Sequence, residues 1–449
     1  MSGADGRRPR SFWARVALLT DGPAERVRVS HRDGTIVAVE SGVDPHPQDE
    51  RLGVVLPGLG NAHSHAFHRL LRGRTHGEGG DFWRWREAMY RAAGALEPDR
   101  YRLVATAVFG EMVASGWTAV GEFHYVHHRA DGSPYPDHDM ARALADAAEA
   151  VGIRLTLLDT CYLAGGIGSP LAPEQRRFGD GSVHAWLERW TALRELLDGR
   201  AGITLGAAVH SVRAVAPDDI AVVAAQLPGG VPLHVHVSEQ PRENEDCLAA
   251  YGDTPTGVLG RTGVLARAGV SLVHATHLTE ADIAAIGAAR SGVVFCPTTE
   301  ADLGDGIGPA RALADAGAIL ALGSDQNAVV DPLLEIRGLE AHERLASGAR
   351  GRFDPAELLA AAATGGYRSL GLSGGILPGS ACDLVEVSDT SARTVGSLPA
   401  QLVLTATAAD VTRVVVGGRT VARDGRLESG QGPVDPARLL QDAMEGLLG

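Results

Sequence analysis

Residues 56–69 read LPGLGNAHSHAFHR, and the interpretation of the whole chain depends on this stretch. A short apolar run and a Pro-Gly turn lead into His63 and His65, which are separated by one residue. Side chains at positions i and i+2 of a strand point to the same side, about 6–7 Å apart. Two imidazoles placed in this way at a strand end can share one metal ion. A pair of structural histidines bonded to backbone or water explains this stretch alone equally well.

Downstream of this stretch, short apolar strands alternate with helices. Strands are predicted at residues 118–123, 154–158, 203–209, 233–237, 271–274, 292–295 and 318–322. Residues 54–56 are counted as the first strand, which gives eight. Helices are predicted at residues 98–115, 139–150, 183–197, 217–226, 279–289 and 309–316. This alternation predicts an α/β fold, a (β/α)8 TIM barrel. The alternative is an open doubly wound sheet, but no Gly-x-Gly-x-x-Gly follows the first strand.

Both ends of the chain have a different pattern, in which short β-branched strands are separated by polar and glycine turns. Near the N-terminus these strands are residues 13–19, 26–29 and 34–39, and near the C-terminus they are residues 381–387, 402–406 and 412–418. They predict one small β-sandwich domain built from both termini. The predicted domains are therefore residues 1–55 and 373–449, which form the β-sandwich, and residues 56–372, which form the barrel.

Polar residues follow the apolar strands where a barrel has its active site. His236 ends predicted strand five, His274 ends strand six, and Asp325 follows strand eight. Because active-site residues of such barrels lie at the C-terminal ends of the strands, these side chains should meet His63 and His65 in one mouth. Each residue alone is more often structural, but five in register on four strand ends indicate a shared site.

Imidazoles combined with a carboxylate suit a divalent ion such as zinc that keeps one position open for water. Water bound to such an ion ionises with a pKa of about 7, which provides a nucleophile at neutral pH. The reaction also needs a group that carries a proton to the leaving atom. Glu239, three residues after His236, is suitably placed. The alternative for Glu239 is a surface carboxylate or a helix cap.

The composition excludes several classes of function. The chain has 449 residues, of which 45% are hydrophobic and 21% charged, and its formal net charge is -14 without a basic block. This argues against nucleic acid and anionic membrane surfaces as partners. There is no lysine, so all 41 basic residues are arginine. Schiff-base catalysis through lysine, pyridoxal phosphate attachment and a lysine-dependent phosphate loop are therefore excluded.

The cysteines and the apolar segments indicate the cellular compartment. The four cysteines are far apart and form no Cys-x-x-Cys, so reduced thiols in a cytoplasmic protein are expected. The first 22 residues contain no apolar run of signal-peptide length, and no uninterrupted apolar segment of 18 residues occurs elsewhere. We therefore expect neither a signal peptide nor a membrane span.

The set of strand-end positions resembles the amidohydrolase superfamily, and the resemblance extends over nearly the whole chain. It implies one divalent metal ion, expected to be Zn2+. The implied metal ligands are His63, His65, His236 and Asp325. The implied catalytic residues are Glu239, His274 and Asp325, with His274 beside the metal but not a ligand. Members with two metals bridged by a carboxylated lysine are excluded as a model, because this chain has no lysine.

Longer strings resemble one branch of that superfamily, the formimidoylglutamate deiminases of histidine degradation. The most specific are GEFHYVHH at residues 121–128 and CPTTEADLGDG at residues 296–306. The resemblance implies zinc-dependent hydrolysis of N-formimidoyl-L-glutamate to N-formyl-L-glutamate and ammonia. The chain departs from the family at His68, where a glutamine is expected, and at Gln326-Asn327, where Ser-His is expected.

A substrate with two carboxylates requires cationic side chains that form two parallel hydrogen bonds, which arginine does best. Arg86 and Arg213 are the candidates for this role, although either could instead form a surface ion pair. The predicted substrate-binding residues are His68, Arg86, Tyr125, His210 and Arg213.

Two other interpretations stay open at this point. A deaminase of a ring amine, of the guanine, pterin or triazine type, could use the same scaffold, although it would need stacking residues more than carboxylate clamps. A non-catalytic barrel of the same superfamily would usually have lost metal ligands, and none is missing here. The resemblance also implies a homodimer, with a carboxylate-containing small molecule as the substrate and with neither nucleic acid nor membrane as a partner.

Overall fold

The computed structural model describes residues 10–75 and 82–445. Residues 1–9, which belong to the N-terminal segment considered above for a signal peptide, lie outside the described residues. The strands are β1 (Arg10–Leu19), β2 (Gly22–Arg32), β3 (Thr35–Glu40), β4 (Glu50–Pro57), β5 (Leu59–Ser64), β6 (Trp117–His124), β7 (Arg154–Cys161), β8 (Ile203–Val209), β9 (Leu233–Val237), β10 (Val270–His274), β11 (Gly292–Phe295), β12 (Ile319–Leu322), β13 (Leu384–Val387), β14 (Val411–Val416), β15 (Arg419–Arg423) and β16 (Arg426–Leu427).

The strands from β5 to β12 form one parallel sheet in which every strand pairs with its neighbour in sequence. The helices α3 (Asp139–Val151), α4 (Val183–Leu197), α5 (Pro217–Gln226), α8 (Glu280–Ala289) and α10 (Ala310–Ala316) separate successive strands. Strands β6, β9 and β10 are buried along their full length, as expected where a parallel sheet is covered on both faces. The described residues therefore contain the eight-stranded βα alternation of a TIM barrel.

The barrel closes where β12 approaches β5. The backbone N–H groups of Ser324 and Asp325 donate to the carbonyl of His63 at 3.1 and 2.9 Å, and His65 N–H donates to the carbonyl of Asp325 at 2.9 Å. Gly323 is required at this join, because a Cβ there would lie 2.8 Å from the His63 carbonyl oxygen. The first and last strands of the barrel thus meet at the residues that the sequence analysis selected.

The helices connect these strands and follow ordinary capping rules. They are α1 (Phe82–Gly94), α2 (Pro98–Ser115), α3 (Asp139–Val151), α4 (Val183–Leu197), α5 (Pro217–Gln226), α6 (Pro241–Tyr251), α7 (Pro255–Arg261), α8 (Glu280–Ala289), α9 (Pro297–Leu303), α10 (Ala310–Ala316), α11 (Pro332–Ser347), α12 (Pro355–Ala360), α13 (Gly366–Ser369) and α14 (Pro436–Met444). Helix α2 illustrates the rules: it begins with a proline and ends before Gly116, which adopts a φ of 113°.

A second sheet combines both ends of the chain. Its strand order over the described residues is β16-β15-β14-β13-β4-β1-β2-β3, so C-terminal β13 pairs antiparallel with N-terminal β4. We call it the terminal sheet. Asp383, just before β13, joins this sheet to the barrel. Arg154 on β7 donates to both oxygens of its carboxylate at 2.6 and 3.0 Å, and Tyr367 OH donates at 2.6 Å.

The predicted fold class, a TIM barrel with a small β domain from both termini, is confirmed. Two predicted strands are wrong. Residues 54–56 belong to β4 of the terminal sheet, and the first barrel strand is Leu59–Ser64. Residues 402–406 are not a strand, because Pro399 begins a 3-10 helix, Pro399–Leu404. The predicted domain boundaries stay predictions.

No helix of the described residues is long and apolar enough to cross a membrane.

Candidate active site

The five residues predicted from the strand ends lie together at the C-terminal end of the barrel. His63 is in β5, His236 is in β9 and His274 ends β10, while His65 and Asp325 directly follow the join between β5 and β12. All five are at most 5% exposed. The barrel thus gathers residues that are up to about 260 positions apart in the sequence.

Four of these side chains converge on one point. His63 Nε2 lies 3.1 Å from His236 Nε2 and 3.4 Å from Asp325 Oδ1. His65 Nε2 lies 3.4 Å from the same oxygen of Asp325. Three nitrogens and one carboxylate oxygen within these distances form the kind of ligand set that zinc binds in hydrolases.

In His65 and His236, a hydrogen bond made by Nδ1 determines that Nε2 is the nitrogen that faces this point. His65 Nδ1 lies 3.1 Å from the carbonyl oxygen of Phe123, and His236 Nδ1 lies 2.9 Å from that of His210. Since a carbonyl only accepts hydrogen bonds, each Nδ1 is the donor and each Nε2 keeps a free lone pair. A hydrogen bond from the second nitrogen to a carbonyl is typical of metal-binding histidines.

Burial keeps these imidazoles neutral. It lowers the pKa of His65 to about 3 and the pKa values of His63 and His236 well below the ordinary value of 6.5. Neutral imidazole is the form that binds metals. The neutral Nε2 atoms of His63 and His236 face each other at 3.1 Å, an arrangement that suits a cation bound by both nitrogens. The residues present therefore fit a divalent metal ion.

His274 lies beside this group between two carboxylates. Its Nε2 is 3.9 Å from Glu239 Oε1 and its Nδ1 is 3.5 Å from Glu300 Oε1. Burial would lower the pKa of His274, but Glu239 and Glu300 outweigh it and raise the pKa to about 10. A nitrogen of His274 also lies within 4.8 Å of ligand atoms of His63 and His236. Glu300, in the first turn of α9, was not selected from the sequence.

Glu239 also contacts Arg213, one of the predicted carboxylate-binding residues. Arg213 Nη2 donates to Glu239 Oε2 at 3.3 Å, and Arg213 Nε lies 3.7 Å from Glu243 Oε2. The side chain of Arg213 is 31% exposed, whereas Glu243 is buried. Burial lowers the pKa of Arg213, but Glu243 and Glu239 more than compensate, so the pKa is raised and the guanidinium is charged.

His68 and Tyr125 form a pair next to the candidate metal ligands His63, His65, His236 and Asp325, which we call the metal-ligand group. His68 Nε2 and Tyr125 OH are 2.8 Å apart, and the His68 ring lies 4.5 Å from the His65 ring. Trp85 of α1 packs edge-on against His68 at 5.3 Å. Both predicted residues therefore line the same mouth as His65.

Arg86 and His210 lie at either side of Tyr162. Arg86 Nε donates to Tyr90 OH at 2.9 Å, and the His210 ring lies 4.5 Å from the Tyr162 ring. Tyr90 OH and Tyr162 OH both accept from Gln175 Nε2, at 3.0 and 2.9 Å, which connects Arg86 to the Tyr162 phenol. Burial raises the pKa of Tyr162, while Arg213 and Arg86 oppose this rise. Arg86 and His210 are thus connected through Tyr90, Gln175 and Tyr162, and the substrate-binding roles of the five residues stay predictions.

Two more buried carboxylates border the site and were not selected from the sequence. Glu122 of β6 accepts a hydrogen bond from Ala66 N–H at 2.7 Å, and burial raises its pKa to about 8. Asp305 accepts from Gln240, and burial together with Glu239 raises its pKa to about 8. Both residues lie in strings that carry the family resemblance, GEFHYVHH and CPTTEADLGDG, but those strings do not show which distant neighbours the two side chains contact.

A separate buried group of His124, His127 and Asp159 also has atoms within 4.8 Å of one another. Both oxygens of Asp159 already accept from Arg189, at 2.7 and 3.0 Å, and Trp186 Nε1 donates to Oδ1 at 3.0 Å. Because Arg189 and Trp186 already occupy the Asp159 carboxylate, we interpret this group as structural.

Comparisons with known proteins agree with this site. The family model described as "Amidohydrolase family" matches residues 54–421, and the model described as "Formimidoylglutamate deiminase HutF, N-terminal domain" matches residues 10–53. The chain belongs to the amidohydrolase family, and it is a hydrolase that acts on carbon–nitrogen bonds.

Individual relatives confirm the resemblance to formimidoylglutamate deiminases that was noted in the sequence. The chain is 38% identical to formimidoylglutamate deiminase of Pseudomonas aeruginosa, over 93% of this chain and 95% of that protein. An amidohydrolase structure from Brucella melitensis superimposes with a TM-score of 0.91 at 34% identity, covering 98% of this chain and 100% of that one. A zinc-bound adenosine deaminase from Xanthomonas campestris has a TM-score of 0.82 at 25% identity, covering 97% and 98%.

Proposed function

We propose that the protein hydrolyses N-formimidoyl-L-glutamate to N-formyl-L-glutamate and ammonia, a step of histidine degradation. The observation that carries this proposal is one mouth in which a metal-ligand group adjoins charged arginines and neutral donors. The formimidoyl carbon would face His63, His65, His236 and Asp325. The carboxylates would face the side of the mouth that holds Arg213 and Arg86, whose charges both act on Tyr162.

One divalent ion, Zn2+, would be held by His63, His65, His236 and Asp325. The neutral imidazoles, the second hydrogen bonds of His65 and His236, and the 3.1–3.4 Å spacings support this assignment. When bound, zinc supplies Lewis-acid chemistry that makes water a nucleophile near neutral pH. A zinc-bound relative of similar fold is consistent with this choice of metal.

The two substrate carboxylates distinguish this molecule from most amines, and arginine binds carboxylates with charge-assisted hydrogen bonds. Arg213 reaches the mouth with a partly exposed side chain, and Arg86 approaches from α1. Tyr125, His210 and His68 provide neutral polar atoms between them and the metal-ligand group. Together these five residues would bind the glutamate part of the substrate.

The proton path uses residues of this chain. One oxygen of Asp325 would accept the proton of the attacking water. His274, held between Glu239 and Glu300, would donate a hydrogen bond that orients that water. Glu239 would pass to the leaving nitrogen the two protons that the attacking water loses. The first would move as water adds to the carbon and the second as the formyl carbonyl forms, so that the nitrogen departs as ammonia. Glu239 Oε1 lies 3.9 Å from His274 Nε2, an ion-pair distance that places the two proposed catalytic groups side by side.

A ring-amine deaminase is the second candidate, and one observation favours it. Tyr125, Tyr162 and Phe178 form an aromatic wall with ring separations of 5.0–6.3 Å, which could stack on a planar ring. A neutral ring would leave the charged Arg86 and Arg213 without substrate partners, which is why we favour the dicarboxylate.

Ammonia release by the purified protein tests the substrate. N-formimidoyl-L-glutamate, guanine and a pterin amine are assayed side by side at equal concentration. We expect release from N-formimidoyl-L-glutamate at a kcat/KM at least about 100-fold above that for either ring amine, since the latter lose two charged hydrogen-bonded contacts. Faster release from a ring amine would overturn the proposed substrate.

Metal content tests the ligand assignment. His65→Ala should lose both metal and activity yet remain folded, because the barrel core does not depend on this side chain. His342→Ala, on α11, is the control and should keep its metal. Elemental analysis and circular dichroism provide the measurements. A folded His65→Ala protein that retains a full equivalent of metal would contradict the assignment.

We also propose that the protein is a cytoplasmic homodimer whose partner is a carboxylate-containing small molecule. Its acidic charge and lack of a basic block support neither nucleic acid nor a membrane surface as a partner. Light scattering coupled to gel filtration measures the oligomeric state, and a monomer at micromolar concentration would contradict the dimer.

A further inference from the structure

One buried amide connects the helix that carries Arg86 to the barrel. Gln175 lies in the 3-10 helix Pro173–Phe178, after β7, and is 1% exposed. Its Nε2 donates to Tyr90 OH at 3.0 Å and to Tyr162 OH at 2.9 Å. Its Oε1 accepts from Ala172 N–H at 2.9 Å. Both amide hydrogens and the carbonyl oxygen are therefore used, so the side chain is fixed in one orientation.

The two tyrosines that Gln175 holds each contact a residue assigned to substrate binding. Tyr90 OH accepts from Arg86 Nε at 2.9 Å, and the guanidinium lies 5.3 Å from the Tyr90 ring. On the barrel side, the Tyr162 ring lies 4.5 Å from the His210 ring. Gln175 thus links the two sides of the mouth through one hydrogen bond to each.

We propose that Gln175 is a positioning residue that sets the distance between Arg86 on α1 and the barrel side of the mouth, and thereby selects the length of the dicarboxylate substrate. Two carboxylates separated by a fixed number of methylenes require binding groups at a fixed separation. An arginine held by a rigid tyrosine can discriminate between lengths, whereas a loose arginine adapts to either. This inference deepens the proposed function and rests on it.

A neighbouring residue, Arg177, also attaches α1 to the barrel. The role of Gln175 can therefore be tested separately from the general stability of α1. Arg177, in the same 3-10 helix, donates to the carbonyls of Ala93 and Leu96 at the end of α1. It makes no hydrogen bond to Tyr90 or Tyr162 among the described residues. Arg177 therefore attaches the helix, whereas Gln175 would place Arg86.

The test compares kcat/KM for N-formimidoyl-L-glutamate and for the shorter N-formimidoyl-L-aspartate. Gln175→Leu, which removes the amide but keeps the size, should raise KM for the glutamate substrate at least about 10-fold with kcat within about twofold. The preference for glutamate over aspartate should fall by a similar factor. Gln175→Glu, whose carboxylate accepts from both tyrosine hydroxyls, should restore most of the preference. A purely structural role would instead lower kcat, metal content and thermal midpoint together.

Three controls make the outcome decisive. Tyr90→Phe should resemble Gln175→Leu, and the double variant should be no worse than either single one, since both break the same path to Arg86. Arg177→Met should leave the substrate preference unchanged. An unchanged preference in folded Gln175→Leu, or additive losses in the double variant, would overturn the inference.

A binding measurement separates this inference from the proposed function. Glutarate, a dicarboxylate without a formimidoyl group, is titrated by calorimetry into the metal-loaded wild-type and Gln175→Leu proteins. We expect at least about 10-fold weaker binding to the variant. If wild-type protein fails to hydrolyse N-formimidoyl-L-glutamate but glutarate still distinguishes the two proteins, the proposed function fails and the positioning role stands. Equal glutarate affinities would overturn the positioning role.

Discussion

At the scale of single residues, Glu239 contacts both Arg213 and His274, so it would connect the proposed carboxylate binding with the proposed proton transfer. Glu239→Gln should keep its metal and its substrate affinity but lose at least two orders of magnitude in kcat, since a general acid contributes about 10²–10⁴-fold. Glu245→Gln, an exposed change on α6, is the matched control. If Glu239→Gln turns over near the wild-type rate, another group carries the proton, and His210 and His68 are next to be tested.

Arg213 holds Glu239 in the structure and would bind a carboxylate of the substrate. Arg213→Met should raise KM by about 30- to 900-fold, which corresponds to about 2–4 kcal/mol of lost charged hydrogen bonding. Arg242→Met removes an exposed arginine on α6 that pairs with Asp246, and it should change KM little. Steady-state kinetics measure both. A wild-type KM in Arg213→Met would place the carboxylate elsewhere.

His236, Glu239, His274 and Asp325 could be selected from the sequence because each lies where an apolar strand ends, and the barrel brings strand ends together. His63 and His65 were selected from their His-x-His spacing. Gln175 and Glu300 could not be selected from the sequence. Gln175 is a polar residue in a loop segment, and only its contacts with Tyr90 and Tyr162, 85 and 13 positions away, distinguish it. Glu300 lies in the string CPTTEADLGDG, but nothing in that string shows that its carboxylate faces His274, which lies 3.5 Å away.

At the scale of elements, the first barrel strand shows why sequence patterns fail. Strand β5 reads LGNAHS, which looks like a polar loop, whereas residues 54–56 are apolar and look like a buried strand. In the structure all six residues of β5 are buried, because the closed barrel encloses polar and apolar residues alike. A strand that supplies polar residues to a site does not show the hydrophobic pattern by which other strands are recognised in the sequence.

The 3-10 turn Ala408–Asp410 depends on an ion pair whose effect varies with pH. Asp410 accepts from Arg393 Nε and Nη2, both at 2.9 Å, and from Thr407 N–H at 3.0 Å. Burial alone would raise the pKa of Asp410, but these hydrogen bonds lower it to about 2 from the ordinary value of 3.8. Because the folded-state pKa is below the unfolded one, this stabilisation is present above about pH 4 and is lost as the pH falls toward 2.

Asp410→Asn should therefore lower the free energy of unfolding by about 1–2 kcal/mol at pH 7, a range reduced for the half-exposed Arg393. The difference in thermal midpoint between wild type and variant should narrow from pH 5 to pH 3. Asp389→Asn, which removes an exposed ion pair with Arg15, should have little effect at either pH. A difference that stays constant over this range would contradict the role of Asp410.

At the scale of the whole molecule, Asp383 holds the terminal sheet on the barrel. Its buried carboxylate accepts from Arg154, Tyr367 and Gly417 N–H. Asp383→Asn should lower the free energy of unfolding by about 3–5 kcal/mol, because it leaves the Arg154 charge without its partner. The folded variant should keep its metal, since Arg154 begins β7 at the opposite end of the barrel from His63.

Calorimetry measures the free energy of unfolding of Asp383→Asn, and elemental analysis measures its metal content. Arg154→Met should destabilise by a similar amount, and the double variant should cost less than the sum, because both changes break one ion pair. Strictly additive losses would show that Asp383 and Arg154 act independently.

The join between β5 and β12 also affects how the chain is made. Roughly 250 residues separate these strands, so at about 5–20 residues per second one edge of β5 waits tens of seconds on the ribosome for its partner. An open strand edge invites pairing with other chains, most strongly when it is rich in β-branched residues. Strand β5, LGNAHS, contains none. We therefore expect the polar residues of β5, among them the proposed metal ligand His63, to lower the tendency of the unfinished chain to aggregate.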